Sequence, residues 1–137
     1  MSKVAVVYWS GTGNTEAMAN FVAEGAKAAG AEVSVFTSAE FNASMVKEYS
    51  GIAFGCPSMG AEVLEEAEFQ PMWDEVKNTL NGKKIVLFGS YGWGDGEWMR
   101  NWEGEAPCSI ADTYICNEAP NAEAEEACKN LGKTISA

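Results

Sequence analysis

No histidine occurs anywhere in the 137 residues. That absence removes imidazole-based triads, His-rich metal sites and the side chain that most readily moves protons near neutral pH. Cysteine is sparse, and Cys56, Cys108, Cys116 and Cys128 form no C-x-x-C pair. Neither a thioredoxin-type dithiol nor a zinc ribbon is therefore encoded, and the four read as reduced thiols. Positive charge is scarce as well. Nine Lys and Arg stand against 20 Asp and Glu, a formal charge of −11. Such a surface repels nucleic acid and anionic membranes and attracts basic proteins. No run approaches the roughly 18 apolar residues of a membrane span. Met1-Ser2-Lys3 leads directly into a strand-like run, without the apolar core of a secretory signal. The expectation is a cytoplasmic monomer with neither nucleic-acid nor membrane partners.

What is present is ordinary globular material, 47% hydrophobic and 21% charged. One domain spanning 1–137 is expected, with no internal repeat or linker. Five β-rich runs stand out: Lys3–Trp9, Ala31–Phe36, Gly51–Cys56, Lys84–Gly89 and Asp112–Cys116. Most are continuous rather than alternating, as in strands covered on both faces. Between them lie helical stripes: Met18, Phe21, Val22, Gly25 and Ala29, closed by Gly30; then Phe69, Met72, Trp73, Val76 and Leu80, closed by Asn81-Gly82; then Ala124, Cys128, Leu131 and Ile135, with Asn121 as cap. Strand and helix alternate, which predicts an α/β, doubly wound parallel sheet with ligands beyond the carboxyl ends of its strands. The fourth helix is expected to be short, stopping near Trp102 under Gly104 and Pro107, with 104–111 extended and 103–111 the most mobile segment.

Three loops fall at that carboxyl edge. Ser10, Gly11, Thr12, Gly13, Asn14 and Thr15 join the first strand to the first helix, where outward-facing N–H groups can cradle a phosphate. The NTPase loop G-x-x-x-x-G-K-[ST] does not fit, because no Lys or Arg occurs between Lys3 and Lys27. The dinucleotide pattern G-x-G-x-x-G fails at Glu16. Neutral donors beside a carboxylate favour a closely wrapped phosphate monoester. The second loop is Cys56, Pro57, Ser58, Met59, Gly60, Ala61 and Glu62; the third is Ser90, Tyr91, Gly92, Trp93, Gly94 and Asp95. Trp93 between two glycines has free faces for stacking on a flat ring, and Met59 is a polarizable wall for the other side. Together the loops outline a slot for a planar ring with a phosphorylated tail, which flavin mononucleotide (FMN) fits best.

The stretches VVYWSGTGNTEAMA, GCPSMGAEVLEEAEFQP and LFGSYGWGDGEWMRNW resemble those of short-chain flavodoxins of the clostridial type. The resemblance implies the flavodoxin-like five-stranded sheet in the order 2-1-3-4-5. It also implies a low-potential one-electron carrier that cycles non-covalently bound FMN between semiquinone and hydroquinone, with basic redox proteins as partners. By position, Ser10 to Thr15 hold the phosphate and Ser90 lies near the tail. Met59 lines the inner flavin face and Trp93 the outer. The Gly60 carbonyl meets flavin N5 once it is protonated, Glu62 accepts from N3–H, and Asn117 and Glu118 approach the site. Acidic residues oppose forming an anionic reduced flavin. One carboxylate about 8 Å away, at an effective dielectric near 20, contributes about 2 kcal/mol, on the order of 90 mV. Glu62, Glu65, Glu66, Asp95 and Glu97 are the contributors expected here.

Three departures qualify the carry-over. Pro57 stands where relatives often have a small polar residue. Ala61 stands where many have Asp or Gly. A peptide flip to φ > 0 there costs alanine about 1 kcal/mol, so a less stabilised semiquinone is expected. The fourth helix is the third departure. An FMN-dependent reductase on the same fold is the principal alternative; an activator of a radical enzyme and a cofactor-free interaction module are the others.

Overall fold

The five apolar runs become five parallel strands, β1 (Lys3–Tyr8), β2 (Glu32–Thr37), β3 (Gly51–Gly55), β4 (Lys84–Tyr91) and β5 (Asp112–Asn117). They lie in one sheet in the order 2-1-3-4-5, as expected. The helices are α1 (Asn14–Ala28), α2 (Ala43–Val46), α3 (Phe69–Val76), α4 (Glu97–Glu105) and α5 (Ala122–Ser136). This computed structural model describes residues 2–11, 13–59, 63–92 and 94–137, so Met1, Thr12, Gly60, Ala61, Glu62 and Trp93 lie outside the described residues.

Successive residues of a strand face opposite sides of its sheet, and each side here has its own core. Val4 and Val6 pack with Met18, Val22, Phe88, Cys128, Leu131 and Ile135 beneath α1 and α5. Ala5 and Val7 pack with Phe54, Phe69, Trp73, Leu87, Trp98 and Trp102 beneath α3 and α4. Coverage of both faces explains why the strands read as unbroken apolar runs. Gly25 belongs to the α1 stripe for a steric reason. A Cβ there would strike the Lys129 carbonyl of α5, and one at Gly132 would strike the Val22 carbonyl of α1.

β1, β2 and β3 end level, with Tyr8 paired to Thr37 on one side and Gly55 on the other. β4 runs on, pairing Tyr91 with Asn117 of β5. The sheet therefore has a step at its carboxyl edge. The chain leaves β1 for β2 on one side and β3 lies on the other, so this step borders the switch point at which such sheets hold ligands.

Several boundaries move. β1 stops at Tyr8, although the Trp9 N–H still donates to the Gly55 carbonyl (3.0 Å). β2 is displaced by one residue, and β4 is two residues longer than expected, taking in Ser90 and Tyr91. The link from β2 to β3 contains a 3-10 turn at Ser38–Glu40 and the four-residue α2, capped by Asn42. Neither was legible as a stripe. The α-helical part of α3 ends at Val76, and a 3-10 turn (Lys77–Thr79) brings Leu80 into the core. α4 is short, but it passes through the exposed Gly104 to Glu105, so residues 104 and 105 are helical and not extended. Proline sets the stop: Ala106, which precedes Pro107, is extended (ψ 127°) because a residue before proline is driven out of the helical region. The expected Asn121 cap is present, accepting from the Ala124 N–H at 2.9 Å.

Candidate cofactor site

α1 opens on Gly13, which is left-handed (φ 96°) and carries no capping side chain. The Gly13 N–H donates to Ser10 Oγ (3.1 Å), so that oxygen serves as acceptor and the hydroxyl hydrogen remains to donate elsewhere. Thr15 is 1% exposed, and its Oγ1 has no hydrogen-bond partner among the described residues. A buried hydroxyl left unpaired costs roughly 1–3 kcal/mol. The Thr15 hydroxyl lies in the first turn of a helix without a side-chain cap, where the dipole favours negative charge, and it does not line the neighbouring cleft.

Beside that helix start lies a cleft of about 210 Å³. Gly11 and Asn14 line it from the first loop, Pro57, Ser58 and Met59 from the second, and Ser90, Tyr91 and Gly92 from the third. All eight belong to the set named from the sequence. Among the described residues no Lys or Arg lines the cleft, whose remaining lining residues are Trp9 and Glu118. Glu16, the carboxylate beside that loop, accepts from the Tyr8 hydroxyl (3.1 Å) and faces a neighbouring groove of about 290 Å³. Ser10 lines that groove too, and Trp9 is the wall common to both. A larger groove of about 640 Å³ runs along the outer surface of α1 and α5 and shares no residue with the three loops.

The cleft floor is stitched from loop to loop. The Ser58 N–H donates to the Ser90 carbonyl (3.1 Å) and the Ser90 hydroxyl to the Glu118 carbonyl (2.7 Å). The Glu118 N–H and the Asn117 side-chain amide both donate to the Tyr91 carbonyl (2.9 and 3.2 Å). Glu118 has φ 60°, the one positive φ outside glycine among the described residues. Ser90 is 4% exposed, so its expected place near the tail comes with a bracing duty. Beneath the second loop, Trp98 donates from Nε1 to the Cys56 carbonyl (3.1 Å).

Met59 and Val63 pair antiparallel through two backbone hydrogen bonds (2.9 and 3.0 Å), bringing the two limbs of a hairpin side by side. The turn expected at Gly60-Ala61, the Glu62 contact, Thr12 and the Trp93 stack all lie outside the described residues. Gly94 is left-handed (φ 85°) and does not line the cleft.

The acidic rim differs in detail from expectation. Glu65 is not a solvated charge. It is 8% exposed and accepts from the N–H groups of Ala67, Glu68 and Phe69 (2.9, 2.7 and 2.8 Å). Burial acts to raise its pKa, but the bonds from Phe69, Glu68 and Ala67 prevail and hold it below the ordinary glutamate value. Asp95 is paired with Arg100 at 3.0 Å, which offsets its charge. Glu118, expected to approach the site, lines the cleft.

Trp9 is the wall that sequence reasoning missed. Its Nε1 donates to the Glu68 carboxylate at 3.0 Å, across 59 residues of chain. Only its place as the last aromatic before the glycines could have drawn attention to it.

The flavodoxin family model matches residues 6–131 of the chain. A flavodoxin of Megasphaera elsdenii is 45% identical over 133 residues, 95% of this chain and 96% of its own. One of Clostridium beijerinckii is 42% identical over the same length and shares. The solution structure of two-electron reduced Megasphaera elsdenii flavodoxin superposes with a TM-score of 0.88 at 44% identity, covering 97% of this chain and 98% of that one. The chain belongs to the flavodoxin family. It is an FMN-binding electron-transfer protein, and the reductase alternative is not favoured.

Proposed function

We propose that this chain, acting as one domain and as a cytoplasmic monomer, carries single electrons at low potential between redox proteins whose docking faces are basic. FMN supplies the redox chemistry; the chain binds, orients and shields it. The buried Thr15 hydroxyl, without a partner among the described residues and next in sequence to the cleft-lining Asn14, is the observation that carries this reading.

Ser10, Thr12 and Thr15 offer hydroxyl donors, and Asn14 an amide. Gly11 and Gly13 let the backbone approach a phosphate without a side chain in the way. Pro57 and Ser58 wall the tail, and Ser90, Tyr91 and Gly92 close the opposite side. Met59 takes the inner face of the ring and Trp93 the outer, with Gly94 completing the third loop. Gly60, Ala61 and Glu62 supply the polar contacts at the ring edge that the family resemblance implies. The excess of acidic over basic residues opposes negative charge on the ring and steers positively charged partners. Among the described residues, no helix is long and apolar enough to cross a membrane.

An anaerobic reductive titration followed by visible absorbance tests the reading. Two separated one-electron steps are expected, without oxidation of NAD(P)H. A single two-electron step accompanied by nicotinamide oxidation would contradict it.

A further inference from the structure

Glu65 is the one buried charged side chain among the described residues. Every polar group it has is engaged. Its carboxylate takes the three N–H bonds that open α3, and its carbonyl accepts from the Gln70 N–H (2.8 Å). Its own N–H meets Cys56 Sγ at 3.4 Å.

Capping alone does not require this arrangement. A Ser, Thr, Asp or Asn at the position of Glu68 would cap α3 locally without burying a charge. Glu68 caps nothing; its carboxylate instead receives the Trp9 indole N–H. What the placement of Glu65 adds is its position two residues after Val63, on the return limb of the hairpin whose other limb carries Met59. Leu64, also 8% exposed, sinks into the core between them. The link to Cys56 ties that limb to the end of β3, where the chain departs for Met59. By taking the Glu68 N–H, Glu65 also fixes the backbone from which the Glu68 carboxylate reaches Trp9. Two walls of the cleft thus meet at one residue, Trp9 through the Glu65 carboxylate and Met59 through the Glu65 backbone N–H.

We propose that Glu65 is a positioning residue for the cofactor site. It does not line the cleft. It holds the Met59–Val63 hairpin and the Trp9–Glu68 link in register with it. This rests on the assignment of the cleft to FMN.

Three variants test it: Glu65→Gln, which removes the charge; Glu65→Asp, which keeps the charge but shortens its reach; and Glu66→Gln, which removes charge from the exposed neighbour. The readouts are amide hydrogen exchange in the cofactor-free protein, FMN affinity, and the spacing between the two one-electron potentials. In both Glu65 variants, exchange at Met59 and Val63 and the FMN dissociation constant should each rise about tenfold, the scale of one lost hydrogen-bonded anchor. The potential spacing should change with them. Glu66→Gln should leave exchange and affinity at parental values. Faster exchange confined to residues 67–69, with Met59, Val63 and FMN affinity unmoved in Glu65→Asp, would reduce Glu65 to a helix cap and overturn the proposal. Should Glu65→Gln fail to fold, Glu65→Asp still decides. Failure of the parent protein to bind FMN would instead refute the cleft assignment, while exchange in the cofactor-free protein would still show whether Glu65 anchors the hairpin.

Discussion

The Ser90 hydroxyl donates to the Glu118 carbonyl at 2.7 Å, locking the projecting end of β4 to the turn after β5. Glu118 sits at φ 60°, a conformation that non-glycine residues adopt only when their surroundings impose it. Replacing Ser90 with alanine should cost about 1–2 kcal/mol, since it removes a hydrogen bond and leaves a carbonyl short of a partner. Urea unfolding of the cofactor-free protein measures that loss, and an FMN titration should show weaker binding alongside it. Unchanged stability would show that the stitch is incidental.

Thr15→Val should act with opposite signs on the two forms. It replaces a buried hydroxyl that has no partner among the described residues by a methyl of the same shape, so the cofactor-free protein should be as stable as the parent or more so, by up to about 1–2 kcal/mol. FMN affinity should fall about tenfold through the loss of one donor. Destabilisation of the cofactor-free form would place the hydroxyl's partner within the protein.

Glu65 makes stability depend on pH with a defined sign. A carboxyl whose folded value is lowered contributes fully above its ordinary value of 4.5 and loses that contribution as pH falls through the lowered one. Acid unfolding of Glu65→Gln should therefore have a shallower slope below pH 4.5 than the parent. Identical slopes would mean that the carboxylate is as well accommodated in the unfolded chain.

The thiols should divide into two classes. Burial pushes Cys56 and Cys128 up to about 12, whereas Cys108 and Cys116, half-buried, are raised by it to a lesser extent. Alkylation of the folded protein near neutral pH should label Cys108 and Cys116 and spare the other two, since thiolate is the reactive form. All four should react in denaturant. The folded state also retains protons on Cys56 and Cys128 that the unfolded chain gives up near 9.0, so stability should decline from about pH 9 to about 12.

Much of this molecule was legible in the order of its residues, because strands buried on both faces must be apolar throughout. Val4 to Val7 and Ile85 to Phe88 have core on either side and nowhere to place a polar group. The three loops were legible because glycines and small polar residues interrupt the apolar runs where β1, β3 and β4 end, as at Gly11, Gly13 and Gly92. What escaped depends on partners far away in sequence. The Trp9–Glu68 bond spans 59 residues and no local pattern announces it. In sequence Glu65 is one more acid of the expected rim, beside Glu66 and Glu68, since its bracing role depends on a chain reversal that returns the N–H groups of 67–69 to it. α2 escaped because four residues complete barely one turn and show no period. Gly104 misled in the other direction: an exposed helical glycine is tolerated at modest cost, and Pro107 held the real stop.

The central claim is that neutral donors at the start of α1 hold a phosphate while the other two loops enclose a ring. Titration of the cofactor-free protein with FMN and with riboflavin, followed by loss of flavin fluorescence, tests it most directly. The account predicts one FMN per chain with strong quenching, and riboflavin, which lacks the phosphate, bound at least about a hundredfold more weakly. Equal affinity for the two flavins would contradict it.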